Sequence, residues 1–142
     1  WCHIKSVALL GNILLKQEAS DQDCTEAILL REGYATEGSA SNLFIVKNNQ
    51  LITPPKSHHL LPGITRDLVI ELARKEGITC LEEEVSERQL TQADEIWLTS
   101  STREIMPVIE LNRQTVADGK PGKLWQKVSN CYTAYKNQLR QP

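Results

Sequence analysis

Apolar and polar positions along this chain switch between two periods, and each switch marks an element. Behind Ser6, which can cap a helix, Val7, Leu10, Ile13, Leu14 and Gln17 recur at helical spacing. Ala8, Leu9 and Leu15 are apolar as well, so the pattern predicts a helix over 6–19 that is buried on most sides, ended by Asp21-Gln22-Asp23. Lys5 would then stand just ahead of a buried helix, an unusual place for a solvated lysine. Short strand-like runs follow at 27–30, 34–36, 43–46 and 51–53. Glu32-Gly33 turns the chain between the first two, and Asn48-Asn49, which tolerates left-handed backbone, turns it between the last two. Pro54-Pro55 stops that hairpin.

After Leu60-Leu61-Pro62-Gly63 a second helix begins at once, with Ile64, Leu68, Val69, Leu72 and Ala73 as its apolar face and Gly77 at its close. Residues 78–85 read as one strand ending in acidic residues. Ser86 and Gln89 form a capping box for a short helix. Residues 96–99 read as a buried strand that ends in Ser100-Ser101-Thr102. A hairpin over 107–111 and 115–116 turns at Asn112-Arg113. The last helix is predicted over 123–139, with Leu124, Val128, Tyr132, Tyr135 and Leu139 on one face. Strands and helices mix without strict alternation, and no repeat or low-complexity segment interrupts them, which predicts an α+β domain.

Composition narrows the function classes. The 142 residues suffice for one domain with a real core. A net charge of -2 gives no electrostatic footprint for nucleic acid, and no apolar run reaches membrane-spanning length. The four cysteines, Cys2, Cys24, Cys80 and Cys131, form no C-x-x-C pair, so free thiols in a reducing cytoplasm are the expectation. The chain opens directly on Trp1-Cys2-His3-Ile4-Lys5, which reads as a piece of a longer protein.

Against this background one stretch stands out. Thr36-Glu37-Gly38-Ser39-Ala40-Ser41-Asn42 places a glutamate in a Gly/Ser loop, where a turn has no need of one. By itself it reads as a solvated hairpin loop. Three other features join it: Lys5, a glycine-hinged helix start at Gly63 whose free N–H groups form an anion site, and the hydroxyls Ser100 and Ser101 at a strand end. Pyridoxal 5'-phosphate needs such a set: an amine for its aldehyde, a carboxylate for its ring nitrogen, and a helix N-terminus with hydroxyls for its phosphate. Other polar candidates read as structural. His58-His59 lacks carboxylate or cysteine at ligand spacing, so no metal is expected, and His3 reads as a strand side chain. Trp97 and Trp125 read as core, and Glu82-Glu83-Glu84 as a solvated strand edge.

The ordered set resembles the fold-type IV pyridoxal-phosphate enzymes, the class IV aminotransferase family. That family includes D-amino acid aminotransferase, branched-chain aminotransferase and aminodeoxychorismate lyase. The stretch from Cys2 to Ala19 resembles its cofactor-lysine segment, and Thr36 to Phe44 its glutamate motif. Leu61-Pro62-Gly63-Ile64-Thr65-Arg66 resembles its phosphate-binding turn, and Thr99 to Ile105 its second phosphate loop. Glu37-Gly38-Ser39-Ala40-Ser41-Asn42 is most like the D-amino acid type, with Ala40 where a serine is expected.

The resemblance implies a C-terminal cofactor-binding domain over 1–142, built as a mixed, open, barrel-like sheet surrounded by helices. Lys5 would be the Schiff-base lysine and proton carrier, and Glu37 would bind the pyridine nitrogen. Leu61 would pack on the ring. Gly63, Ile64 and Thr65, with Ser100 and Ser101, would hold the phosphate. It also implies a homodimer of full-length chains, whose separate N-terminal domain grips the substrate. Amino-group transfer between an amino acid such as D-alanine and a 2-oxo acid is the expected activity. Branched-chain transfer, a lyase reaction on the same scaffold and a cofactor-site domain without activity remain open beside it.

Overall fold

The computed structural model describes residues 2–4 and 10–140. The expected Lys5 site and the predicted helix start at 6–9 lie outside the described residues.

The centre of the molecule is the antiparallel pair β3 (Asn42–Lys47) and β7 (Glu95–Ser100). β4 (Gln50–Thr53) pairs with β3 through the Asn48-Asn49 turn, where both residues take the left-handed conformation at φ 50° and 61°. β8 (Glu104–Val108) flanks β7, and β5 (Cys80–Glu82) lies parallel to β4, giving the order β5-β4-β3-β7-β8. The parallel step from β4 to β5 needs a crossover, and α2 (Ile64–Lys75) supplies it. A second sheet has the order β1 (Ile28–Arg31), β2 (Tyr34–Gly38), β6 (Val85–Ser86). β9 (Glu110–Leu111) and β10 (Gln114–Thr115) form a separate two-stranded ribbon. The architecture is α+β with no closed barrel.

β3 is buried on both faces, so its side chains divide two cores. Phe44 and Val46 join Trp97 and Ile105 beneath α2 and α4 (Lys123–Leu139), against Val69, Ala73, Leu124 and Val128. Phe44 and Trp97 are cross-strand partners with ring centroids 6.2 Å apart; burying each ring stabilises the fold by about 1.5–3 kcal/mol. Leu43 and Ile45 face the other way, with Ile96, Leu98, Ala35, Val85 and Leu90. Leu90 belongs to α3 (Glu87–Thr91), whose Ser86–Gln89 capping box forms as the sequence predicts. Glu95 caps α4: its carboxylate accepts from the N–H groups of Leu124 and Trp125, and from Trp97 Nε1, each at 2.9 Å.

Four expectations need correction. The segment 78–85 is two short strands in different sheets, because Val85 turns back toward β2 and buries its side chain in the second core. Helix α1 (Leu10–Asp21) is not buried on most sides. Leu10, Ile13 and Leu14 are 64%, 58% and 60% exposed, since no described element packs over them, and Ala19 is its buried residue. Ile64, the first residue of α2, is 78% exposed and lines a cavity instead of joining the buried face of the helix. His3 lies in a turn rather than a strand. Glu82 does stand on the exposed edge strand β5 as expected, and its carboxylate also holds Arg66, which is 1% exposed, at 2.9 Å.

Candidate active site

The glutamate loop is built by β2 and β3. β2 ends at Glu37-Gly38, and the chain turns through Ser39–Ser41 into β3. That turn is closed by Gly38 N–H donating to Ser41 O at 2.8 Å and Ser39 N–H donating to Ala27 O at 2.9 Å. Asn12 of α1 donates to Ser39 O at 3.1 Å. Across the central pair Asn42 stands opposite Thr99, so the turn before β3 and the hydroxyl turn after β7 come together at one end of the sheet.

The turn before α2 completes the enclosure. Glu37 Oε2 accepts from Leu61 N–H at 2.9 Å, and Asn42 Nδ2 donates to Leu61 O at 2.7 Å. Both backbone groups of Leu61 are thereby fixed by β2–β3 residues. Gly63 is the N-cap of α2, and no side chain caps the helix there. A Cβ at Gly63 would lie 2.2 Å from Asn42 Oδ1, so the turn packs too closely for a side chain. The first N–H groups of α2 therefore open onto the space beside Asn42, carrying the positive end of the helix dipole.

These pieces wall one cavity of about 530 Å³. Glu37, Ser39, Ser41 and Asn42 form one side, Leu61 and Gly63–Thr65 another, and Thr99–Thr102 a third. Every expected site residue among those described, Glu37, Leu61, Gly63, Ile64, Thr65, Ser100 and Ser101, lines it. Glu37 and Thr65 are buried, while Ser101 and the Ile64 side chain are exposed. Ser100 Oγ accepts from Arg103 N–H at 3.1 Å, so this hydroxyl also shapes its own turn.

Burial pushes the Glu37 carboxyl up to about 7; the Leu61 N–H opposes this and the charge of Glu26 adds to it. A protonated nitrogen brought beside Glu37 would reverse that effect and hold it ionised. The described residues contain no cluster that could hold a metal ion, and the His58 and His59 rings meet at a tilt of 53° with centroids 4.0 Å apart. The four cysteines are free thiols.

Three contributors escape the sequence reading. Ser39 Oγ and Thr99 Oγ1 are buried, line the cavity and have no hydrogen-bond partner among the described residues. Strand alternation could have found Thr99, as the partner of Asn42. Glu26 lies in the connection between α1 and β1, yet its carboxylate reaches the glutamate loop. No local pattern announces it.

The described site can hold an anion at α2 and a protonated base at Glu37, within one cavity. The sequence model of the family described as amino-transferase class IV matches residues 1–111, and the chain belongs to that family. It is 40% identical over 138 residues to D-alanine aminotransferase of Bacillus licheniformis, covering 97% of this chain and 48% of that protein. It is also 40% identical over 126 residues to a putative branched-chain-amino-acid aminotransferase of Methanocaldococcus jannaschii, covering 88% of this chain and 44% of the relative. The branched-chain aminotransferase of Thermobaculum terrenum, solved in its PLP-form, superposes with a TM-score of 0.88 at 31% identity over 96% of this chain and 46% of that one. The chain thus spans about half the length of the curated relatives it matches.

Proposed function

We propose that the full-length protein is a pyridoxal-phosphate-dependent aminotransferase, moving an amino group between an amino acid and a 2-oxo acid, with residues 1–142 as its cofactor-binding half. One observation carries this reading: a single cavity joins the buried carboxylate of Glu37 to the uncapped N-terminus of α2. The residues fit the group. Ser39 Oγ and Thr99 Oγ1 are buried hydroxyls awaiting a partner, and the tight approach of Gly63 to Asn42 leaves backbone rather than a side chain at the anion end.

When bound, pyridoxal phosphate supplies an electron sink for charge developing at the substrate α-carbon. This chain's residues do the rest. Glu37 holds a proton on the ring nitrogen, and the Leu61 N–H fixes which way the carboxylate faces. The N–H groups of Ile64 and Thr65 receive the phosphate, assisted by the hydroxyls of Thr65 and Ser101, with Ser100 shaping the turn. Leu61, which lines the same cavity, would pack on the ring. Lys5, outside the described residues, anchors the cofactor through its amine and moves the proton at the substrate α-carbon. To do so its amine must be neutral.

D-alanine is the substrate this reading favours, supported by the D-alanine aminotransferase relatives and the glutamate-loop residues. The branched-chain alternative rests on relatives of that name at the same 40% identity. Homodimeric assembly and a cytoplasmic location belong to the same proposal. Among the described residues no helix is long and apolar enough to cross a membrane. The 142-residue piece alone is expected to turn over feebly at best.

The test is chemical. Full-length protein incubated with pyridoxal phosphate and reduced with borohydride should carry the label at Lys5; a label elsewhere, or none, overturns the cofactor assignment. Pyruvate released from D-alanine with 2-oxoglutarate supports the D-amino acid reading. Turnover of L-leucine instead of D-alanine would transfer the assignment to the branched-chain type.

A further inference from the structure

Glu26 belongs to none of the four motifs, yet its side chain is only 4% exposed and makes short polar contacts near the cavity. Its Oε1 accepts from Ala40 N–H and from Ser41 Oγ, both at 2.7 Å. Its other oxygen, Oε2, lies 3.6 Å from Arg103 Nη1, on the turn after β7. One carboxylate thus bridges the glutamate loop and the turn after β7, two of the three segments at the cavity wall, while standing on neither. Gly38 shows how closely the parts fit: a Cβ there would lie 2.3 Å from Ser41 Oγ and 2.5 Å from Glu26 Oε1.

The cost of burying a carboxylate requires a return. Here the Ala40 N–H and the Ser41 hydroxyl gain a charged acceptor, and both would otherwise be free to turn the loop that carries Ser39 into the cavity. We propose that Glu26 is a positioning residue, a clamp that holds the Gly38–Ser41 loop against the Ser100–Arg103 turn so that Glu37 and the cavity hydroxyls keep their places for the cofactor. The proposal rests on the pyridoxal-phosphate reading of the same cavity. It adds a residue that touches no reacting atom and acts through Ala40 and Ser41.

The experiment uses full-length protein and three variants: Glu26→Ala, Glu26→Gln and Ser41→Ala. Amide hydrogen exchange over 38–42 is measured without cofactor, and pyridoxal-phosphate affinity by absorbance titration, with far-UV circular dichroism as the fold control. Glu26→Ala should speed exchange across the loop and weaken cofactor binding by about tenfold or more, a scale set by losing a charge-assisted bond. Glu26→Gln keeps an oxygen for Ala40 and Ser41, and should restore binding to within about threefold of wild type, the scale for neutral bonds. A residue needed only for stability would show no such rescue of affinity.

Wild-type exchange and affinity in a folded Glu26→Ala protein overturn the clamp, and so does Glu26→Gln binding as poorly as Glu26→Ala. If Glu26→Ala does not fold, Ser41→Ala decides: faster loop exchange with weaker binding supports the clamp, and unchanged values overturn it. Failure of the wild-type protein to bind the cofactor would defeat the functional reading, and the exchange data on cofactor-free protein would still judge the clamp.

Discussion

The backbone N–H of Leu61 donates to Oε2 of Glu37 across 2.9 Å, joining residues 24 positions apart at the point where the β2–β3 loop meets the turn before α2. The bond engages Oε2, and Glu37 also lines the cavity. Glu37→Gln keeps an acceptor for Leu61 but cannot hold a ring nitrogen protonated. In the full-length enzyme it should retain the cofactor while turnover falls by about 100-fold or more, within the range ascribed to positioned acid–base groups. Absorbance titration and rate assays check both halves, and unchanged turnover would return the stretch to an ordinary loop.

The same carboxyl should leave a mark on stability. Its ordinary value of 4.5 is raised to about 7 in the folded protein, chiefly by burial. The folded state therefore holds a proton that the unfolded chain has released. Stability of the cofactor-free protein should fall as pH rises from about 4.5 to about 7 and then level off, by at most on the order of 3 kcal/mol. Thermal midpoints at pH 5 and pH 8 test this, and Glu37→Gln, which cannot titrate, should lose that share of the slope.

Arg66 and Glu82 predict the opposite trend. The hydrogen bond from Arg66 is the largest cause holding the Glu82 carboxyl below its usual 4.5. Its stabilising contribution is present above that value and is lost as pH falls below it. Glu82→Ala should destabilise by about 2 kcal/mol, less than for a fully buried pair because Glu82 is partly exposed. Chemical denaturation above and below pH 4 would show the variant's deficit shrinking in acid.

Gly63→Ala is a steric test of the anion end. Gly63 has φ -71°, which alanine accepts, so the obstacle is the 2.2 Å approach of its added carbon to Asn42 Oδ1. Cofactor affinity should drop about tenfold, since helix N-terminal contacts to anions are sensitive to small displacements. Asn42→Ala in the same chain relieves the overlap but frees Leu61 O, so rescue should be partial. Full affinity in the single variant would mean the turn is more compliant than its packing indicates.

Glu95→Ala should cost about 2 kcal/mol or more, because the N–H groups of Leu124 and Trp125 and the Trp97 indole would all lose their acceptor. A thermal melt reads the loss directly. Cofactor affinity should change little, since Glu95 stands at the opposite end of β7 from Thr99.

What could be read in the sequence follows from how local each cause is. The capping box at Ser86 and Gln89 involves residues three apart, and the last helix has an uninterrupted apolar face, so both were legible. The glutamate loop and the glycine-started helix were visible as residue types but not as neighbours; β3–β7 pairing joins them to the hydroxyl turn. Glu26 was invisible because its partners lie 14 and 15 residues away with no spacing rule to connect them. Arg66 sat inside a recognisable motif, yet burial of its guanidinium against Glu82 and the Pro54 carbonyl depends on the crossover to β5. The apolar spacing of α1 suggests burial, but periodicity reports only that a face is apolar, not that anything covers it.

The facing of Asn42 and Thr99 has a consequence for folding. A slip of one residue between β3 and β7 would send Phe44 to the side of Leu43 and break the division between the two cores. It would also carry Asn42 away from Thr99 and dismantle the wall of the cavity. Cofactor uptake during refolding should therefore act as a gauge of strand alignment: a chain that has collapsed with its central strands out of step can look compact, but it will have nowhere to keep pyridoxal phosphate.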